Sequence, residues 1–165
     1  MGASRSAAAL AVQHELVVTR VLDAPRLLVF KAWTEAERSA LWWRPRGFTT
    51  ISCEIDARPG GAWRRRLRSP DGIDCTKRGI YREVVEPERL VFTYITEDAD
   101  GVAGPETLVT LTFVELDGKT KLTLRHALFE DAADRDAHEG GWTGCIDQFA
   151  EYLARDRARW KRRSA

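Results

Sequence analysis

The chain lacks an excess of charge of either sign. Lysine and arginine together number 26, while aspartate and glutamate number 25, which leaves a formal net charge of +1. A nucleic-acid-binding domain usually shows a strong positive excess or a recognised binding motif. This sequence shows neither, so we expect no nucleic-acid partner.

Cysteine is scarce and poorly spaced for a metal site. Cys53, Cys75 and Cys145 are odd in number, and no two of them have the short spacing that zinc ligands favour. His138 stands beside Glu139, but no second histidine or cysteine follows one helical turn later. We predict no metal site and a reduced, cytoplasmic protein.

Long apolar runs are also missing. Residues 1–12, MGASRSAAALAV, hold an apolar stretch far shorter than the about 20 residues of a membrane span. We predict a disordered leader over residues 1–12 and no membrane span. No linker, composition break or internal repeat divides the rest, so we predict one domain over residues 13–160 and a basic tail over residues 161–165. We expect a monomer or a homodimer.

Recognisable catalytic motifs are absent as well. The glycines do not form a nucleotide-binding pattern, and no serine or cysteine stands in a known nucleophile motif. We therefore predict no cofactor and assign no catalytic residue. An enzyme of cyclase or hydrolase type stays an open alternative, with His126 or Tyr81 as the acting group, because histidine suits proton transfer near neutral pH.

The N-terminal part predicts one strand and two short helices. Residues 14–22, HELVVTRVL, contain a β-branched run that is typical of a strand. Asp23 and Pro25 then mark a helix start, and apolar residues follow at helical spacing as far as Trp33. A second helical piece covers residues 35–43 and ends before a proline and a glycine.

From Phe48 onward the apolar pattern has a period of two. Six strand candidates follow one another: FTTISCEIDA, AWRRRLRS, KRGIYREVV, RLVFTYITE, TLVTLTFVEL and KTKLTLRHAL. Short turns rich in proline, glycine and aspartate separate them, which favours an antiparallel meander because parallel strands need longer crossovers. Residues 134–160 then predict a long helix with apolar residues on one stripe.

This order of elements predicts an α+β fold. A curved antiparallel sheet must cover its apolar face, and the final helix, about 40 Å long, is the element long enough to do so. We therefore expect the sheet to wrap around that helix and to leave a space between the two layers.

Five segments carry a family resemblance. They are DAPRLLVFKAWTEAERSALWWRPRGF, EIDARPGGAWRRRLRSPDG, RGIYREVVEPERLVFTY, TLVTLTFVELDGKTKLTLRH and GGWTGCIDQFAEYL. Their order and spacing, from about His14 to Leu153, resemble homologues of the C-terminal domain of the activator of heat-shock protein 90 ATPase, in the START-like (SRPBCC) helix-grip superfamily. The resemblance implies a cavity between sheet and helix. It does not imply one activity, because the superfamily includes lipid carriers, cyclases, sequestering proteins and chaperone activators.

Strand alternation and the helical stripe indicate which side chains would line that cavity. Phe92 and Tyr94 share one strand face, and Trp142 would face them from the helix. The predicted set is Trp42, Trp43, Trp63, Arg65, Tyr81, Phe92, Tyr94, Phe113, His126, Trp142, Ile146 and Phe149. The alternative is that these residues form an ordinary core, and both interpretations stay open.

Arg65 is the unusual member of this set. If Trp63 and Leu67 face inward, then Arg65 does too, unless a β-bulge after Gly61 shifts the alternation. The resemblance implies an aromatic or apolar residue at this position. A buried guanidinium needs a partner, so we expect an ion pair with Glu83 or Glu54. Access to water, or an anionic ligand, would serve as well.

Two functions follow from these predictions. The first is binding of a small hydrophobic or amphipathic molecule in the cavity. The alternative is a protein-partner role, in which the chain contacts a chaperone. The chaperone activators of the family carry a separate N-terminal domain, for which we expect no room here, so the first function is favoured.

Overall fold

A computed structural model describes residues 14–164, with side chains described as far as residue 160. The elements in chain order are β1 (Leu16–Leu22), α1 (Arg26–Thr34), α2 (Ala36–Ser39), β2 (Thr49–Ile55), β3 (Ala62–Arg68), β4 (Asp74–Val85), β5 (Arg89–Glu97), β6 (Thr107–Leu116), β7 (Lys119–Ala127) and α3 (Ala132–Ser164). The predicted disordered leader lies outside the described residues.

The seven strands form one antiparallel sheet in the order β1-β7-β6-β5-β4-β3-β2. From β2 to β7 each strand pairs with its neighbour in sequence, and β1 closes the order beside β7. The sheet is open and curved, and the long helix α3 covers its inner face. The predicted helix-grip architecture is therefore confirmed.

Alternation along the strands decides which residues enter the core. In β3 the buried side chains are Trp63, Arg65 and Leu67, while the arginines between them are exposed. The inward direction of Arg65 is confirmed. A register shift does occur at this edge of the sheet, but it lies in β2, between Thr50 and Ser52.

Most predicted element bounds agree with the structure to within two residues, with three larger differences. The second helical piece, predicted over residues 35–43, is a helix only over Ala36–Ser39. Strand β4 begins at Asp74, because its first residues pair with the end of β3. Helix α3 ends at Ser164, four residues beyond the predicted end at 160.

Gly79 is the point of closest approach within the sheet. A Cβ atom at this position would lie 1.7 Å from the carbonyl oxygen of Thr93 and 2.6 Å from Nε1 of Trp63. Trp63 is the cross-strand partner of Gly79, and its indole N–H donates to the carbonyl oxygen of Thr93 over 3.2 Å. The missing side chain therefore makes room for the tryptophan.

Among the helices within the described residues, none is long and apolar enough to pass through a bilayer.

Candidate ligand-binding site

A cleft of about 290 Å³ opens between the sheet and the N-terminal half of α3. Three structural segments form its walls. Strands β3 to β5 supply Leu67, Lys77 and Tyr94; the segment after α2 supplies Trp43, Arg44 and Pro45; and α3 supplies Ala137, His138, Gly141, Trp142 and Cys145.

All twelve side chains predicted to line the cavity are buried. Three of them, Trp43, Tyr94 and Trp142, line this cleft. Phe113, Ile146 and Phe149 belong to the core between the sheet and α3. The fold thus brings the twelve together, while the cleft also uses residues from outside the set.

Aromatic rings fill much of the space between the sheet and α3. Trp33 lies at the centre of this cluster, with ring centroids 4.6 Å from Trp42, 5.3 Å from Trp43 and 5.7 Å from Phe149. The rings of Trp42 and Phe149 stack with their centroids 4.0 Å apart. Trp42 is fully buried and donates its indole N–H to the carbonyl oxygen of Ala32. Trp43 and Trp142, which also contact Trp33, line the cleft as well.

Trp33 is absent from the predicted set although it contacts four other aromatic side chains. The sequence showed it as one apolar residue at helical spacing. The signal in the sequence was its position near the C-terminal end of α1, nine residues before two consecutive tryptophans.

Both ring nitrogens of His126 have hydrogen-bond partners. Nδ1 accepts the indole N–H of Trp142 over 3.0 Å, so Nε2 carries the proton and faces the hydroxyl oxygen of Thr107 at 2.7 Å. That hydroxyl in turn donates to the carbonyl oxygen of Tyr94. Burial lowers the pKa of His126 to about 2, and electrostatic interaction with His138 and Lys77 lowers it further. A buried, neutral imidazole with both nitrogens engaged has no free nitrogen to exchange a proton with a substrate.

Arg65 is fully buried, and its partners are neutral. Nη2 donates to the hydroxyl of Ser39 over 2.8 Å, and Nη1 donates to the carbonyl oxygen of Trp43 over 3.2 Å. Among the described residues Nε has no hydrogen-bond partner. The guanidinium lies 3.6 Å from the centre of the Trp43 ring, a cation–π contact. Burial lowers the pKa of Arg65 below its ordinary value.

The ion pair predicted for Arg65 is wrong. Glu83 is exposed and pairs instead with Arg89 at 2.8 Å, and Glu54 is also exposed. Arg65 does not reach water either, since its exposed fraction is 0%. In the register of β2 and β3, Arg65 lies opposite Cys53, and the acidic Glu54 lies opposite the outward-facing Arg64.

The polar groups of the cleft are mostly basic. Its described lining residues include Arg44, Lys77 and His138 and no aspartate or glutamate. The ammonium of Lys77 donates to the hydroxyl of Thr96 over 3.0 Å and lies 5.6 Å from the ring centre of Tyr94. The site therefore combines an aromatic wall with positive charge.

Cys145 lines the cleft but is not a reactive thiol. Its Sγ donates to the carbonyl oxygen of Trp42 over 3.7 Å. Burial raises its pKa to about 12, so the nucleophilic thiolate is scarce at neutral pH. All three cysteines are free of disulfide bonds. Within the described residues, no three His, Cys, Asp or Glu side chains group as metal ligands would.

The surface of the described residues has two further clefts. One of about 340 Å³ adjoins the first and shares Lys77, Tyr94 and His138 with it. The other, of about 290 Å³, lies against the C-terminal half of α3, where Arg38 forms an ion pair with Asp156. Arg38 also pairs with Glu35, so three of the charged groups of this cleft are already engaged and it is a weaker candidate for a ligand.

The sequence and fold both match a known family. The profile of the family described as activator of Hsp90 ATPase homolog 1-like protein matches residues 23–154. The chain belongs to this family, within the START-like (SRPBCC) superfamily. Among proteins with curated descriptions, none matches the chain significantly.

Solved bacterial structures share the fold over nearly their whole length. A protein from Chromobacterium violaceum is 28% identical, with a TM-score of 0.77 over 86% of this chain and 97% of its own. The AHSA1 protein from Silicibacter pomeroyi is 25% identical, with a TM-score of 0.79 over 86% of this chain and 99% of its own. A protein from Nitrosomonas europaea is 26% identical, with a TM-score of 0.74 over 87% and 96%. Proteins of this family commonly bind ligands or protein partners.

Proposed function

We propose that this chain binds a small hydrophobic or amphipathic molecule in the cleft between the sheet and α3. The observation that carries the proposal is the lining of that cleft. Trp43, Tyr94, Leu67 and Trp142 offer apolar surface, and Lys77 offers a polar group at one side. Ligand pockets have this composition, because apolar walls provide contact area and a few polar groups fix orientation.

The size of the cleft limits the ligand. Its volume of about 290 Å³ is at the lower end of the about 300–1,000 Å³ that ligand pockets occupy. The aromatic cluster around Trp33 and Phe149 takes up the deeper space. The proposal is therefore for a compact molecule rather than a long-chain lipid.

Binding is favoured over catalysis by the state of His126. Its two nitrogens are engaged by Trp142 and Thr107, and the ring is fully buried. The phenol of Tyr81 is buried too, and burial raises its pKa well above the ordinary value, so it is a poor general acid or base at neutral pH.

Two neighbouring glycines of α3 allow a matched test. Gly141 lines the cleft, and a Cβ atom added there meets open space. Gly140 is also exposed with open space around it, but it does not line the cleft. A phenylalanine at 141 would fill the cleft, while the same change at 140 adds the ring outside it. Both changes remove a helical glycine, so their effects on helix propensity are alike.

The neutral dye N-phenyl-1-naphthylamine provides the readout, since its fluorescence rises in an apolar site. We expect the wild type and Gly140→Phe to bind it with similar affinity, and Gly141→Phe to lose at least about tenfold, because the steric block removes most of the contact area. No binding by the wild type, or equal binding by the two variants, would reject the cleft as a ligand site.

A protein-partner role is the second candidate. The match to the ATPase-activator family favours it. The purified chain would then change the ATPase rate of the heat-shock protein 90 chaperone from its own organism. An unchanged rate at saturating concentration would dismiss this role, whatever the dye titration shows.

We also propose a single domain over residues 13–160, a cytoplasmic location, and a monomeric or homodimeric state. The three unpaired cysteines support a reducing compartment. Light scattering on the purified chain tests the oligomeric state, and a mass larger than that of a dimer would overturn it.

A further inference from the structure

Arg65 brings a positive charge into the core without a negative charge to balance it. Of its five N–H groups, two have the partners described above, and Nε has none among the described residues. None of the ion pairs among the described residues includes Arg65. Buried charges in proteins are normally paired, so an uncompensated one indicates that its counter-charge comes from elsewhere.

This charge lies directly behind the cleft wall. The guanidinium packs against the ring of Trp43, which lines the cleft, at 3.6 Å. Leu67, two residues along β3 on the same face, also lines the cleft. The thiol of Cys145, a third wall residue, is close enough to interact electrostatically with Arg65. An anion in the cleft would therefore have only one layer of side chains between itself and the guanidinium.

The charged side chains that line the cleft have the same sign of charge as Arg65. Lys77 and Arg44 are lining residues, and none of the described lining residues is acidic. The adjoining cleft does contain Asp98 and Asp134. The carboxylate of Asp98 is already engaged, since its Oδ1 accepts the backbone N–H groups of Asp100 and Val102. The carboxylate of Asp134 faces His138 at 3.4 Å.

We propose that the cleft selects small amphipathic molecules with an anionic head group, and that buried Arg65 together with Lys77 supplies the attraction. The proposal rests on the ligand-binding function proposed above and adds the charge class of the ligand. Aromatic side chains keep water away from Arg65, so its field is screened less than that of a surface arginine. The apolar part of the ligand would lie against Trp43 and Trp142, with its anionic group toward Lys77.

Two dyes with the same aromatic skeleton separate charge from contact area. They are N-phenyl-1-naphthylamine, which is neutral, and 8-anilinonaphthalene-1-sulfonate, which carries one sulfonate. We expect the wild type to bind the sulfonate at least about tenfold more tightly than the neutral dye, because the two differ only in the anionic group. The charge preference is the ratio of the two dissociation constants.

Three variants test whether Arg65 and Lys77 cause the charge preference. Arg65→Met and Lys77→Met should each lower the charge preference by about tenfold, because the preference is the ratio of the two dissociation constants and a change in contact area affects both dyes alike. Arg64→Met is the matched control, because Arg64 is the adjacent arginine on β3 and faces solvent. It removes the same charge from the protein and should leave the preference unchanged.

The outcomes are distinguishable. If neither dye binds the wild type, the proposed function fails, and this inference fails with it. If both dyes bind equally, or if Arg64→Met lowers the preference as much as Arg65→Met, only this inference fails. Should Arg65→Met not fold, Lys77→Met decides, and an unchanged preference in that variant would overturn the proposal.

Discussion

The guanidinium of Arg65 lies 3.6 Å from the centre of the Trp43 ring, and both side chains are buried. The ring faces of Trp43 and, at 5.8 Å, Trp63, together with one hydroxyl and one carbonyl oxygen, are the identified partners of this charge among the described residues. A buried arginine with neutral partners destabilises the fold, since desolvation of an ion costs several kcal/mol in practice. Its presence in the core therefore indicates a role other than stability.

Replacing Arg65 by methionine should therefore raise the free energy of unfolding, by about 1–3 kcal/mol, because an apolar side chain of similar length removes the desolvation penalty. Urea denaturation of the wild type and of Arg65→Met measures the difference, with Arg64→Met as the exposed control, which should stay within about 0.5 kcal/mol. A loss of more than about 2 kcal/mol in Arg65→Met would show that the bonds to Ser39 and Trp43 are needed for the fold itself.

His126 should make the protein sensitive to acid. Its imidazole stays neutral in the folded chain, with the pKa lowered to about 2, whereas in the unfolded chain it takes up a proton below about pH 6.5. The unfolded state then binds more protons, so the free energy of unfolding falls as the pH falls from about 6.5, by up to about 1.4 kcal/mol per pH unit.

The measurement is the slope of unfolding free energy between pH 6.5 and about 5, above the range where most carboxylates titrate. We expect His126→Asn to be less stable than the wild type at pH 7, since the shorter amide no longer reaches the hydroxyl of Thr107, but to show a shallower slope. Equal slopes in the two proteins would mean that His126 is protonated in the folded state.

Gly79→Ala should be strongly destabilising. The added Cβ would lie 1.7 Å from the carbonyl oxygen of Thr93, and backbone on both strands would have to move. We expect a loss of about 3 kcal/mol or more, with Trp63 displaced from its hydrogen bond to Thr93. Thermal unfolding gives the size of the effect, and a melting temperature equal to that of the wild type would refute the close packing at Gly79.

Gly140→Ala should have the opposite effect. Gly140 is in the interior of α3, and an added Cβ meets no atom within 4 Å. Alanine reduces the freedom of the unfolded chain at no steric cost, so we expect a gain of about 0.5–1 kcal/mol. A destabilised Gly140→Ala would mean that this stretch of α3 is not helical in solution.

The fold could be predicted from the sequence because its signals are local. The strands β5 and β6 have the bounds that their alternation indicates, Arg89–Glu97 and Thr107–Leu116. Turn residues between strands favoured the antiparallel order that the sheet shows. The order of elements then left one helix long enough to cover the sheet.

The partners within the site could not be predicted in the same way. Arg65 bonds to Ser39 and to the carbonyl oxygen of Trp43, which are 26 and 22 residues away in the sequence. A search for a counter-charge considers carboxylates such as Glu83, but a hydroxyl, a carbonyl oxygen and a ring face give no charge signal. The central position of Trp33 likewise depends on how α1, α3 and the segment after α2 meet.

The central claim is that a small molecule binds in the cleft lined by Trp43 and Trp142. The chain has six tryptophans, and each indole N–H gives its own signal in a ¹⁵N-correlated NMR spectrum. On titration with N-phenyl-1-naphthylamine, the indole signals of Trp43 and Trp142 should shift progressively. The signal of Trp160, which lines the separate cleft at the C-terminal half of α3, should stay in place. Shifts confined to Trp160, or no shift of Trp43 and Trp142 at saturating dye, would contradict the claim.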